Sequence, residues 1–327
     1  MATSVQTSSA AVVAPEMPTR KPRSLWSDAW RRLMRNKAAV AAMIVIFIFA
    51  LIAIFANQLA RYSPVEQHSG NSFRQPMWVT TSDAKTTGVP QYILGTDNLG
   101  RDLLSQLIYG TRVSMIVGFI PVTITMLIGV PLGLIAGYAG GRVDNLIMRI
   151  TDIVYAFPDL LFIITLTTAL RETVLGQAFN GLLLIFVALA IVGWTGVCRL
   201  VRGQVLSLKE KEFVEAARTV GNKTPSILFQ HILPNALAPL IVSAAFGVPG
   251  AILAEAGLTF LGVGMRPSLD PNNPFPTSWG SMLLDGFSNL SAGIWYALFP
   301  TLAVATITIA FTFLGDGLRD ALDPRDQ

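Results

Sequence analysis

The sequence predicts an all-α polytopic membrane protein with six transmembrane helices. Composition, apolar runs and the distribution of positive charge carry that reading. Of 327 residues, 52% are hydrophobic and 13% charged, against roughly 25% charged in an average soluble domain. So little charge cannot clothe a water-soluble globule. Apolar runs near the roughly 20 residues that cross a hydrocarbon core fall at 38–60, 113–138, 152–170, 181–201, 236–262 and 292–314. With these six spans and an internal N-terminus, 17 Lys and Arg lie on the cytoplasmic side and 7 outside. Deleting the third run, which Pro158 and Asp159 interrupt, leaves 11 inside and 13 outside and erases the positive-inside bias. The pattern predicts six spans with both termini cytoplasmic.

Residues 1–24, rich in Ala, Ser, Thr and Pro, read as a disordered cytoplasmic tail. Residues 25–60 read as an interfacial helix and the first span. SLWSDAWRRLMRNK sets Leu25, Trp26, Trp30, Leu33 and Met34 near one face, with Arg31, Arg32 and Arg35 around the rest. That pattern suits a helix at headgroup depth or a simple extension of the span. The span is too long for a cleaved signal and no small-x-small site follows it, so a retained anchor is expected. Segment 61–111 is polar, loop-rich and extracytoplasmic, too poor in apolar residues to fold alone. Its end offers Asp97 or Asn98 as a helix cap before Leu103, Leu104, Leu107 and Ile108, which share a face. Residues 112–314 form a five-helix core containing a cytoplasmic loop over 203–235, and 315–327 form a cytoplasmic C-terminal tail.

Within the core, Gly129, Gly133, Gly137 and Gly141 recur every fourth residue. They make a smooth stripe for close helix packing, with a substrate-lining role as the alternative. Pro121 and Pro131 are expected to bend that helix. Asp159 and Glu255 are acids beside apolar runs, where a carboxylate is costly. Each has either a pathway or gating role, or a capping or interfacial one. The single cysteine, Cys198, excludes an intramolecular disulfide and reads as a small packing residue. The net charge of +4 and pI near 9.4 reflect topology and attraction to anionic membrane lipid, not nucleic-acid binding.

Between the fourth and fifth spans lies the polar stretch KEKEFVEAARTVGNKTPSILFQHILPN, residues 209–235. Phe213, Ala216, Ala217 and Val220 share a helical face too small to be a core, and that face requires a partner surface. Gly221 supplies the left-handed residue that ends the helix. Thr224-Pro225 reads as the cap and first-turn proline of the next. The product is a helix–turn–helix bracket feeding rigidly into span five, with Glu215 free to pair with a cation or cap backbone amides on a partner.

The spacing from Glu215-Ala216-Ala217 through Gly221 to Leu233-Pro234-Asn235 resembles the EAA loop of ATP-binding-cassette importer permeases. LGTDNLGRDLLSQLIYG resembles the dipeptide, oligopeptide and nickel branch of that family, with Gln106 replacing the usual Arg. So do residues 137–152, 254–267, 278–283 and 315–325, where Gly317 stands for the more usual Ala; its expected effect is a local loss of helix propensity of about 1 kcal/mol. His231 also fits the peptide branch.

The resemblance implies a type I importer permease fold. It implies that Phe213, Glu215, Ala216, Ala217 and Gly221 couple to an ATPase subunit, and that the chain pairs with a homologous second permease, two ATPases and an extracytoplasmic binding protein. No G-x-x-x-x-G-K-[ST] loop occurs, so the chain is expected to bind no cofactor and to leave ATP and Mg to its partners. His68 and His231, predicted on opposite sides, cannot share a metal or catalytic site. The implied function is a non-catalytic permease subunit for dipeptides or oligopeptides. Nickel complexes or other peptide-like solutes, or a passive channel or carrier, are the alternatives.

Overall fold

The computed structural model describes residues 25–322; the expected disordered tail and the extreme C-terminus lie outside them. Its helices are α1 (Leu25–Arg35), α2 (Lys37–Ile54), α3 (Ala56–Leu59), α4 (Leu103–Ala139), α5 (Gly141–Tyr155), α6 (Asp159–Ala169), α7 (Val174–Gln177), α8 (Leu182–Leu208), α9 (Glu212–Thr219), α10 (Thr224–Ser226), α11 (Leu233–Phe260), α12 (Trp279–Ser288) and α13 (Trp295–Leu322). A 3-10 turn at Ala178–Gly181 leads into α8, and a π-helical turn at Ile227–Ile232 joins α10 to α11. Among the described residues the only β feature is an isolated bridge between Thr96 and Asp102.

Five helical stretches, over α2, α4, 174–208, 224–260 and α13, are long and apolar enough to cross a membrane. The third expected span differs from a plain helix. It is the pair α5–α6, broken at 156–158 and bent by 79°. Pro158 cannot continue α5, because its ring and missing N–H disrupt the preceding turn. The packing of α4 on α8 decides how this pair counts. Cβ atoms placed on Gly129, Gly133 and Gly137 would meet Val197, Val201 and Val205 at 2.7, 2.6 and 2.7 Å. Rising numbers on one helix match rising numbers on the other, so α4 and α8 run parallel. The chain between them must return the length of the bundle, and α5–α6 makes that return as one crossing. The architecture is six crossings, with α1, the α9 bracket and the end of α13 at one end, and segment 61–102 at the other.

The glycine stripe packs as expected through Gly137, but Gly141 does not belong to it. Gly140 ends α4 with φ +63°, and Gly141 opens α5 with φ +53° and open space around it. The period of four stops because the helix stops. Helix α4 runs unbroken through Pro121 and Pro131. It begins at Leu103, ten residues before the expected span, and its cap is Asp102, not Asp97 or Asn98. The Asp102 carboxylate accepts from the Ser105 N–H at 2.8 Å and hydroxyl at 2.6 Å.

The main core joins α4, α11, α12 and α13 through Met115, Ile252, Trp279, Tyr296, Ile307 and Phe311. Trp279 is fully buried against Gly110, where a Cβ would sit 2.8 Å from the indole. Leu33 of α1, expected on a lipid-facing stripe, instead packs with Ala39 and Ala321, while Trp30 and Met34 stay exposed. Helix α13 continues past the expected boundary at 315 to Leu322, so most of the expected tail is the last part of a helix.

Candidate functional site

The bracket is built on a buried footing. Val214 and Ala217 of α9 join Leu134 of α4, Val201 and Val205 of α8, Ile227, Leu228 and Ile232 of the π turn, and Leu240 of α11 in one apolar cluster. The Lys209 ammonium donates to the Gly137 carbonyl at 3.2 Å, and the Arg218 guanidinium lies 5.3 Å from the Tyr138 ring centre. Lys209 thus ties the end of α8, and Arg218 the end of α9, to the last turn of α4.

Helix α9 ends as its glycine requires. Gly221 has φ +88°; its N–H donates to Arg218 at 2.9 Å and the Asn222 N–H to Ala217 at 3.1 Å. These are the paired bonds of a Schellman turn. The next helix starts one residue earlier than the sequence suggested. Lys223 occupies the cap position without a side-chain bond, and Thr224 and Pro225 are already helical. The π turn follows, closed by the Leu233 N–H donating to Leu228. Such turns insert one residue into a helix and concentrate at functional sites.

The predicted apolar face is divided by the fold. Ala217 turns inward with Val214, whereas Phe213 (40% exposed), Ala216 and Val220 (84% exposed) point away from the bundle. Glu212, Glu215 and Arg218 are also exposed, and among the described residues the Glu215 carboxylate has no hydrogen-bond or ion-pair partner. Apolar knobs spaced three and four residues apart, flanked by exposed charge, thus share the outward face of α9. Ala217 belongs to the footing under it.

Two further acids resolve differently. Asp159 is exposed in the first turn of α6, beside the 156–158 break. Glu255 is fully buried, and its Oε1 accepts from the Thr259 and Ser278 hydroxyls at 2.8 Å each. Thr259 also accepts from the Met265 N–H at 3.1 Å, and Ser278 caps α12 in a box with Ser281. Glu255 therefore clasps the 261–278 connection and the α12 cap through one oxygen, while its Oε2 is buried with no hydrogen-bond partner among the described residues.

A polar network passed unread in the sequence. The Asp97 carboxylate accepts from the Leu99 and Arg101 N–H groups, from the Arg101 guanidinium at 2.6 Å, and from Gln106 at 2.9 Å. Arg101 reaches Asp285 of α12 at 3.5 Å. Burial pushes the Asp285 carboxyl above its ordinary range, and Arg101 opposes that shift. Gln75 donates to the Ala292 carbonyl at 2.8 Å and the Tyr296 hydroxyl to the Arg74 carbonyl at 3.3 Å. Segment 61–102 is thus held on α12 and α13 by hydrogen bonds. Bidentate Arg202–Asp144 and single Arg199–Asp152 pairs fasten α5 to α8 in the same way. The i, i+4 spacing of Asp97 and Arg101 was the one local signal.

Comparison with known proteins bears on this geometry. Residues 129–325 match the family described as binding-protein-dependent transport system inner membrane component, a span that includes α9, its footing and the Schellman turn. The chain belongs to that permease family. Residues 24–76 match the N-terminal transmembrane domain of oligopeptide transport permease C. The permease is 41% identical to the oligopeptide transport system permease protein OppC of Haemophilus influenzae, over 93% of this chain and 90% of that one. It is equally identical to the dipeptide transport system permease protein DppC of Alkalihalophilus pseudofirmus, over 92% and 90%, and 40% identical to OppC of Escherichia coli K12, over 93% of each. A chain of the MetNI methionine ABC transporter in an inward-facing conformation superposes with TM-score 0.54 and 17% identity, over 67% of the permease and 96% of that chain. The permease therefore has the type I importer fold and is a multi-pass membrane protein.

Proposed function

We propose that this permease forms half of the translocation pathway of an ATP-driven importer of dipeptides or oligopeptides. One observation carries the proposal: α9 presents Phe213, Ala216 and Val220 outward on a footing shared with α4, α8 and α11. A displacement of α9 is transmitted to those spans because the interior between them is close-packed. The relatives named for oligopeptide and dipeptide transport support the substrate class. The excess of Lys and Arg at the bracket end supports cytoplasmic termini.

In this reading a homologous second permease completes the pathway. Two ATPase subunits, which hold ATP and Mg, grip the two brackets, and an extracytoplasmic binding protein delivers the solute. The permease itself catalyses nothing. Closure of the ATPases on nucleotide draws the brackets together and opens the pathway outward; hydrolysis resets it. The membrane bundle is the two-state element, biased by nucleotide at one end and loaded binding protein at the other. Glu215→Arg reverses the charge beside the docking face, and Gly221→Pro removes both the positive φ and a bonded N–H. Each is expected to abolish ATP-coupled uptake in proteoliposomes and release the co-purifying ATPase, with membrane insertion intact. Unchanged uptake in both variants, or uptake by the tagged chain without any ATPase, overturns the proposal and favours a passive carrier.

A further inference from the structure

Segment 61–102 has an apolar patch that its polar moorings do not explain. Met77, Trp78 and Ile93 are 50%, 53% and 39% exposed, and the Met77 N–H donates to the Ile93 carbonyl, so the three form one surface. Trp78 stands edge-on to Trp295 at 6.0 Å and to Phe299 at 6.4 Å, and those two rings stack on each other at 5.8 Å. Trp295 is the first residue of α13.

The depth of this cluster follows from α13. From Trp295 the helix carries no charge until Asp316. At 1.5 Å per residue that run is about 30 Å long, the thickness of a hydrocarbon core. Trp295 therefore marks one edge of the core, and Trp78 lies beside it at headgroup depth. Below the cluster the exposed stripe of α13 continues as Leu302, Thr306, Ile309 and Phe313. Residues 75–82 and 86–94 are uncharged, whereas Asp83 and Lys85 sit in the middle of the 79–88 loop, closed by the Gly88 N–H donating to the Val79 carbonyl. Among the described residues neither the Trp78 nor the Trp295 indole N–H meets an acceptor, while the buried Trp279 donates to the Leu107 carbonyl at 3.2 Å. Two amphipathic rings with free donors at the edge of a span suit lipid headgroups.

We infer that segment 61–102 is a membrane-interface anchor: Met77, Trp78 and Ile93 dip into the leaflet on their own side and fasten the segment to the lipid surface beside α13. This goes beyond the transport reading and stands whether or not that reading holds.

The test uses the full transporter, purified through this chain into lipid nanodiscs, in a Cys198→Ser background that removes its one cysteine. Nitroxide labels at Met77→Cys and Ile93→Cys are compared with one at Lys85→Cys. The expected result is collision with oxygen favoured over a water-soluble nickel chelate at the first two positions, severalfold above the Lys85 reference. Nickel-favoured collision there means the patch faces water, and protection from both reagents means that protein covers it. Either outcome overturns the inference, and the second site keeps it testable if one labelled variant fails to fold.

Discussion

Gly221 and Asp102 show how a single side chain sets a helix end. Gly221 sits at φ +88° with open space beyond its Cα, so a side chain there meets only the left-handed backbone penalty of about 1–2 kcal/mol. Gly221→Ala is expected to lower the melting temperature of the purified transporter, and Gly221→Asn to lower it less, since Asn tolerates this conformation. Asp102 differs because burial raises its carboxyl above the ordinary range despite the opposing Ser105 bonds. The fold thus favours the protonated acid. The Asp102 contribution is complete at acid pH and declines as pH rises through the ordinary aspartate range, about 4, toward the raised value. Asp102→Asn keeps a cap without ionising, so thermal melting from pH 4 upward should show a shallower decline than in the parent. Gly221 was legible because the bonds of its cap reach only three and five residues back. Asp102 was misread because Asp97, an equally good cap by type, is taken by Arg101 and Gln106.

Helix pairs test a different property, the closeness that glycine allows. At Gly133 a Cβ would lie 2.6 Å from both the Val201 Cβ and the Cys198 carbonyl oxygen, and a backbone atom cannot step aside. Gly133→Val should therefore separate α4 from α8 at a cost of about 1–3 kcal/mol, read as a lower melting temperature and loss of uptake. Gly141→Val meets open space, so only its backbone penalty applies and the α4–α8 contact should survive. The period of four made these glycines look alike. The end of α4 at Ala139 separates them. In α9, likewise, helical spacing brought Ala216 and Ala217 together, but only the footing of Leu134, Val205 and Ile232 turns Ala217 inward. The break at 156–158 was visible as FPD, whereas its 79° bend is seen only in the fold, where Arg202 and Arg199 also tie α5 to α8.

The first and last long helices meet at Gly317. A Cβ there would stand 2.5 Å from the Ala39 Cβ, where α1 and α2 cross the last turns of α13. Helix propensity alone makes Gly317→Ala stabilising by about 1 kcal/mol. The crossing reverses the sign, because the added methyl forces apart two helices far separated in sequence. Gly317→Ala is expected to lower the melting temperature, and Ala39→Gly added to it to restore most of the loss. A rise in the single variant would show that the crossing yields freely.

Class, span number and the α9 helix with its glycine stop were readable from residue order, since apolar run length, charge asymmetry and a helix-ending glycine are properties of neighbouring residues. The parallel run of α4 and α8 bears out the count of six that charge asymmetry required. Which face each helix turns inward, that Glu255 clasps a connection, and that Asp97 and Arg101 anchor a lobe to α12 came from the packed fold alone. Those assignments depend on groups distant in sequence meeting in space, where one contact geometry satisfies buried polar atoms and close-packed helices together.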